Sequence, residues 1–365
     1  MSQQHIGALA SQHLYRLIED GTLSLAEKAE SDQVQPASID LRLGAVAYRV
    51  RSSFLPGRDR TVSECLQEMV MHRIDLDNGA VLEKSCVYIV PLLESVNLPE
   101  NLSAAGNPKS STGRIDVFTR LITDYGVEFE QVPAGYSGPL YAEVAPLTFS
   151  VLVRKGSRLS QLRIRAGSPN LSDAAHYRLQ QSERLVEREL APEQVKNGVP
   201  VSVDLQGDEN GLIGYRGKRH SGVVDVDKPG AHRARDFWEP LYLNADRLIL
   251  DPGEFYILVS GEAVHVPADY AAEMVAYDTL VGEFRVHYAG FFDPGFGAAS
   301  AGGSGSRAVL EVRSFDVPFL IEHGQNVGRL VYESMLERPD LIYGQDLSSN
   351  YQAQGLKLSK HFLMD

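Results

Sequence analysis

Cysteine is nearly absent from this chain: Cys65 and Cys86 are its only two, and neither belongs to a Cys-x-x-Cys pair. That excludes a disulfide framework and a cysteine-built zinc site, and it suits a reducing compartment. Long apolar runs are missing as well. No stretch reaches the length of a membrane span, and the first residues lack a basic start leading into an apolar core, so a cytoplasmic protein without a membrane partner is expected. Positive charge is in deficit, with 35 Lys and Arg against 48 Asp and Glu and a formal net charge of −13. A broad basic face for a nucleic-acid polymer is therefore excluded, and any phosphate ligand must be gripped by a local cluster. Tryptophan occurs once, as Trp238, which reads as a core or domain-contact residue.

Against these gaps stand 365 residues with 43% apolar content, too many for one ordinary domain and apolar enough for two cores. Ile6, Leu9, Leu14, Leu17 and Ile18 fall near helical spacing before Asp20-Gly21 stops the pattern, which predicts a short amphipathic helix. Val34 to Gly44 alternates apolar and polar residues and leads into a strand-like run ending at Val50. From Leu76 to Ile164 short β-type runs are separated by Gly, Pro and Asn, the pattern of an antiparallel barrel or sandwich. Ser172-Asp-Ala-Ala, followed by Tyr177, Leu179, Leu185, Val186 and Leu190 among charges, predicts a capped helix over 172–190 that connects two halves. Arg154, Lys155, Arg158, Arg163 and Arg165 form a basic run that could extend the phosphate field but reads first as a solvated strand face. His220 and His232 lack ligand spacing and read as surface or loop residues.

The chain repeats itself. Pro200-Val-Ser-Val-Asp-Leu205 echoes Pro36-Ala-Ser-Ile-Asp-Leu41, and further on the offset becomes constant. Tyr88-Ile89 and Tyr256-Ile257, Pro99 and Pro267, Glu143-Val144 and Glu311-Val312, and Gly156 and Gly324 are each 168 positions apart. Such anchors predict two copies of one β-rich domain, residues 1–170 and 195–365, joined by a helical connector at 171–194, rather than a solenoid of many short repeats.

Between the copies, the differences carry the chemistry. Ala105-Gly-Asn-Pro-Lys-Ser-Ser-Thr-Gly-Arg114 packs small residues, two serines and two cations into one stretch. Backbone N–H groups and the hydroxyls of Ser110 and Ser111 suit phosphate oxygens, Lys109 supplies a point charge and Arg114 a planar fork. By composition alone the same stretch also fits a polar turn before a strand. It is not a Walker loop, because the Gly-x4-Gly-Lys order is absent. The second copy replaces it by Tyr277-Asp-Thr-Leu-Val-Gly282, which has lost the arginine. Conversely, His287-Tyr-Ala-Gly-Phe-Phe-Asp-Pro-Gly-Phe296 puts an Asp-Pro-Gly turn among aromatics where the first copy has Phe129 to Tyr136.

These residues resemble the deoxycytidine triphosphate deaminase family, a branch of the dUTPase-like superfamily. Ile18-Glu-Asp-Gly-Thr-Leu-Ser-Leu25 with Ala37 to Gly44 is similar to the family's opening, and Lys109 to Arg114 to its Arg-Ser-Ser-x-x-Arg phosphate motif. Ala289 to Gly295 with Val309-Leu-Glu-Val312 is similar to its hairpin and catalytic strand, and Tyr351-Gln-Ala-Gln-Gly355 followed by Ser359 to its C-terminal segment. The resemblance implies a mainly β chain of two tandem dUTPase-like distorted antiparallel β-barrel domains with a few short helices. It implies a trimer, a site whose parts come from different domains, and dCTP as substrate with dUTP as product. It further implies Mg2+ bound through the triphosphate and dTTP as an inhibitor. One departure is Phe291, where family members carry an arginine two residues after the hairpin alanine.

Cytosine deamination needs a water made nucleophilic at C4, with protons delivered to the ring nitrogen and the departing amine. Zinc deaminases use a His-x-Glu and Pro-Cys-x-x-Cys set, which this sequence lacks, so a zinc-free route through a buried carboxylate is expected, with no protein-held metal. By resemblance Glu311 is that carboxylate and the Ala289 carbonyl orients the water. Lys109, Ser110, Ser111, Arg114, Asp293, Tyr351 and Gln354 then bind substrate. Glu143 holds the matching position in copy one without the Asp-Pro-Gly turn and reads as a relic or a structural residue. Asp293 keeps open a dUTPase or bifunctional reading, in which a carboxylate activates water at the α-phosphate, and a non-catalytic nucleotide sensor is the remaining alternative. The Gly-rich run at 297–306 reads as a flexible tip inserted into the hairpin.

Overall fold

The computed structural model describes residues 6–242, 246–276, 284–287, 290–298, 305–344 and 355–364. The chain is mainly β, with curled antiparallel sheets and the short helices α1 (Ser11–Glu19), α2 (Val62–Met69), α3 (Ser110–Gly113), α4 (Asp173–Glu183) and α5 (Ala234–Phe237). None of the described helices is long and apolar enough to cross a membrane. Two compact units form. The first comprises Met1–Pro169, Gly222–His232 and Met335–Asp340, and the second Asn170–Ser221, Arg233–Ser334 and Leu341–Asp365.

In the first unit the strand Val87–Asn97 lies between Val46–Val50 and Ser137–Pro146, and Val117–Thr123 continues that sheet beyond Ser137–Pro146. A second sheet centres on Arg158–Ala166, paired on one side with Leu102–Pro108 and on the other with Ile39–Arg42 and Gly7–Ala8. The core of this unit holds Leu23, Ile39, Leu41, Leu140, Leu162 and Ile164 from the strands and Leu14 from α1, all fully buried. The segment Gly222–His232 joins this unit by adding Val224–Asp225 in parallel to Val151–Val153. A bidentate pair fixes it there, Arg154 Nη1 and Nη2 donating to the two oxygens of Asp225 at 2.7 and 2.9 Å. That pairing holds the Asp225 carboxyl down at about 2. His232 is half-buried, and its Nε2 accepts from the Asp225 N–H at 2.9 Å, so it is an acceptor in this turn rather than a bare surface histidine.

The second unit is built on a larger sheet in which Phe255–Val264 pairs with Val199–Asp204, Leu212–Gly217 and Ser306–Ser314. Its register repeats that of the first unit. Tyr88 and Ile89 face Val144 and Glu143, and Tyr256 and Ile257 face Val312 and Glu311. Tyr48 and Arg49 face Ile89 and Tyr88, and Tyr215 and Arg216 face Ile257 and Tyr256. Even the polar contacts recur: the Tyr88 hydroxyl accepts from the Glu83 N–H at 3.0 Å and the Tyr256 hydroxyl from the Asp251 N–H at 2.9 Å. The buried Glu94 and Glu262, again 168 apart, each accept a backbone N–H, from Arg42 at 2.7 Å and Ser202 at 2.8 Å. A one-residue slip would flip every side chain to the other face, so the shared register shows one folding pattern used twice.

α4 starts where its sequence predicts, the Ser172 hydroxyl accepting from the Ala175 N–H at 3.3 Å, but it ends at Glu183 rather than at 190. Arg184 turns left-handed at φ +50°, and Leu185, Val186 and Leu190 reach the core of the second unit from extended chain. The apolar spacing was set by that core, not by a helical face. α2 went unforeseen, although Thr61-x-x-Glu64 is a complete capping box, the Thr61 hydroxyl accepting from the Glu64 N–H and the Glu64 carboxylate from the Thr61 N–H.

Candidate active site

The stretch 105–114 begins as strand. Gly106 sits in Leu102–Pro108, where an added Cβ would meet Glu130 Oε2 at 2.5 Å and the Leu121 Cβ at 2.6 Å, so the bare backbone is a packing requirement. Pro108 ends the strand, and Ser110–Gly113 then closes one helical turn, with the Thr112 and Gly113 N–H groups both donating to the Lys109 carbonyl. Ser110 is exposed, whereas Ser111, Thr112 and Arg114 are buried, Arg114 to 2%. Burying a guanidinium that deeply requires the surrounding fold to hold it in one geometry. Two residues on, Asp116 adopts φ +57°, unusual for a non-glycine residue, and its carboxylate accepts from the Thr148 hydroxyl at 2.5 Å.

Lys109 is tied to neighbours that sequence spacing did not reveal. Its ammonium pairs with the buried Asp40, whose same oxygen lies 3.4 Å from Arg158 Nη1. Arg158 also pairs with Glu30 and, at 2.8 Å, with Asp32. Burial works against the Arg158 charge, but the ion pairs to Asp32 and Asp40 more than offset it and raise its pKa. The basic run is therefore not a solvated strand face. Arg163 is fully buried and donates to the Ala37 carbonyl at 3.3 Å, Lys155 pairs with Glu27 at 2.5 Å, and each partner lies on a different segment from the strand itself. The run of positive charges suggested exposure, whereas the strand Arg158–Ala166 lies inside its sheet, paired with Leu102–Pro108 and Ile39–Arg42.

In the second unit Glu311 sits mid-strand in Ser306–Ser314, 4% exposed, flanked in the ladder by Ile257 on one side and His287 on the other. The hairpin before it is anchored by its turn. Asp293, 9% exposed, begins the turn, Gly295 takes φ +98°, and a Cβ there would meet Ile342 Cγ2 at 2.5 Å and the Tyr343 carbonyl at 2.9 Å. Phe292 and Phe296 pack edge-on at 5.0 Å, and the Tyr343 N–H donates to the Pro294 carbonyl at 3.0 Å. Ala289, Tyr351 and Gln354 lie outside the described residues, as do 277–282 and the middle of the Gly-rich insertion. The feet of that insertion are packed, Ala298 being 1% exposed and the Gly305 N–H donating to the Gly297 carbonyl at 3.0 Å.

Glu143 holds the position matching Glu311 in the first unit, and its surroundings differ. Arg120 stands opposite it in the ladder where His287 stands opposite Glu311, and the Arg120 Nε donates to Glu143 Oε1 at 3.0 Å. The guanidinium carbon lies 3.5 Å from the Phe129 ring centroid and 4.7 Å from that of Phe118. A carboxylate saturated on one oxygen by a stacked arginine is a poor proton shuttle.

Among the described residues no group of three or more His, Cys, Asp and Glu side chains could hold a metal ion. The β architecture repeated in one register marks the class, a tandem two-domain β protein, and comparison with known proteins supplies the family. A model described as "2'-deoxycytidine 5'-triphosphate deaminase (DCD) N-terminal domain" matches residues 5–168, and the corresponding C-terminal domain model matches 172–362. The chain belongs to the 2'-deoxycytidine 5'-triphosphate deaminase family. It is similar to the crystal structure of 2'-deoxycytidine 5'-triphosphate deaminase from Agrobacterium tumefaciens, at 57% identity and TM-score 0.87 over 92% of this chain and 100% of that one. Shorter relatives align with about half of it. The dUMP-forming dCTP deaminase of Halobacterium salinarum is 28% identical over 47% of this chain and 86% of its own, and the dCTP deaminase of Haemophilus influenzae 27% identical over 48% and 98%.

Proposed function

We propose that the protein deaminates dCTP hydrolytically, giving dUTP and ammonia. The observation that carries this reading is a buried carboxylate at one repeated position: Glu311, 4% exposed and mid-strand, follows the Asp-Pro-Gly turn in the chain, and its counterpart Glu143 accepts from the Arg120 guanidinium. Glu311 takes a proton from the water attacking C4 and passes it to the ring nitrogen. Glu311 then carries the proton of the new C4 hydroxyl to the amine, which leaves as ammonia as the C4 carbonyl of the uracil ring forms. The Ala289 carbonyl orients that water. Lys109, Ser110, Ser111 and Arg114 of the first unit bind the triphosphate, with Mg2+ arriving on it as part of the substrate. Asp293, Tyr351 and Gln354 complete nucleotide binding. A trimer and inhibition by dTTP extend the same reading, and the free thiols of Cys65 and Cys86 suit the cytoplasm.

A second reading, deamination followed by release of diphosphate, is favoured by one observation: Asp293 is a buried carboxylate at the start of the hairpin turn. Incubation of the protein with dCTP and Mg2+, with ammonia measured and the nucleotide product identified, decides between them. Ammonia with dUTP is expected; ammonia with dUMP and diphosphate establishes the second reading, and no ammonia overturns both.

A further inference from the structure

The residue that best explains how two cations stand side by side at the start of the Ser/Arg motif is one outside it. Lys109 and Arg158 repel each other, and both pair with the same carboxylate. Asp40 lies between them, 1% exposed, with one carboxylate oxygen shared by the Lys109 ammonium and the Arg158 guanidinium. The backbone adds to the arrangement: the Lys109 N–H donates to the Leu159 carbonyl at 2.9 Å, which locks the first residue of the motif against the strand that carries Arg158. Asp40 is itself held in register, its N–H donating to the Gln33 carbonyl at 2.9 Å.

The two arms of Arg158 differ in kind. Nη1 lies 3.4 Å from the buried Asp40 carboxylate and 3.4 Å from the Asp32 backbone carbonyl, whereas Nη2 pairs with the side chains of Glu30 and Asp32, which are 52% and 70% exposed. Both of those carboxylates are exposed and screened by solvent, so an incoming phosphate exchanges with them while the buried Asp40 contact stays. A guanidinium held by one arm and exchangeable at the other is a preorganised phosphate fork.

Resting on the triphosphate reading above, we propose that Arg158 is a further phosphate-binding residue and that Asp40 is the positioning residue that aims Arg158 and Lys109 at the same oligophosphate. The cradle then comprises three cations, Lys109, Arg114 and Arg158, brought together from two separate strand ends.

Arg158→Gln tests it. The expected result is a KM for dCTP raised about tenfold with kcat within about twofold, since a contact to the non-reacting phosphates acts equally on ground and transition states. Asp40→Asn is expected to raise KM similarly, and Asp40→Glu to recover part of it, with the melting temperature reported for each. Inorganic tripolyphosphate is the probe that separates this inference from the assigned reaction. Its binding to the wild-type protein, measured by calorimetry, weakens about tenfold in Arg158→Gln whether or not dCTP is turned over. An unchanged tripolyphosphate affinity in Arg158→Gln overturns the proposal. So does an equal loss of affinity for deoxycytidine and for tripolyphosphate, which would mark a general structural defect.

Discussion

Glu311 and Glu143 occupy the same place in matching ladders, and Glu143 faces Arg120. Glu311→Gln should lower kcat by about 10³-fold, in the range of a lost general acid–base group, while Glu143→Gln leaves it within about twofold. Steady-state ammonia release by the two variants checks this, and the reverse ranking would move the chemistry to the first unit. At this scale the sequence revealed what lies close in the chain: the hydroxyls and cations of 109–114, and the glutamate after the hairpin. It concealed the contact of Arg158 with Asp40, because residues 118 positions apart leave no spacing to read. It also concealed Arg163, whose burial follows from covered strand edges rather than from its own type.

Among the elements, α4 shows how a local signal and a tertiary one separate. Its cap was legible at Ser172, whereas its end was not, since Leu185, Val186 and Leu190 are apolar for reasons of the core they enter. The helix is tied to the strand Asn326–Ser334 through His176, 1% exposed, whose Nδ1 lies 3.1 Å from the Ser172 carbonyl and whose Nε2 accepts from the Tyr332 N–H at 2.9 Å. The Nε2 must be unprotonated to accept, and burial accordingly lowers the His176 pKa from 6.5. In the unfolded chain the imidazole protonates near its ordinary pKa, so its stabilising contribution is complete above that pH and is lost as pH falls towards the lower folded value. His176→Leu should cost about 1–3 kcal/mol at pH 7.5, by stranding the Tyr332 N–H, and should flatten the stability profile on the acid side. Urea unfolding at several pH values measures both effects. The hairpin turn depends on Gly295 in a similar way: with φ +98° and Ile342 beside it, Gly295→Ala should destabilise the protein by more than about 1 kcal/mol, read from the same titrations.

For the molecule as a whole, the repeat was the most legible feature, because a constant offset survives where individual residues diverge, and the shared register shows why. Net charge sets a further expectation. A chain at −13 repels a bare triphosphate, so removing Mg2+ with EDTA should raise the KM for dCTP several-fold, and restoring the ion should reverse it. Kinetics across a Mg2+ titration provide the check.

The chain's last described turn also has a practical consequence. Phe362 is wedged against Phe237 at 5.3 Å and against Trp238 at 5.7 Å, edge-on to the indole. Because Trp238 is the single tryptophan and is 1% exposed, all indole emission from this protein originates at the spot where the chain end docks. The protein thus carries its own optical reporter: a red shift on excitation at the indole band signals a released C-terminus, with no label added.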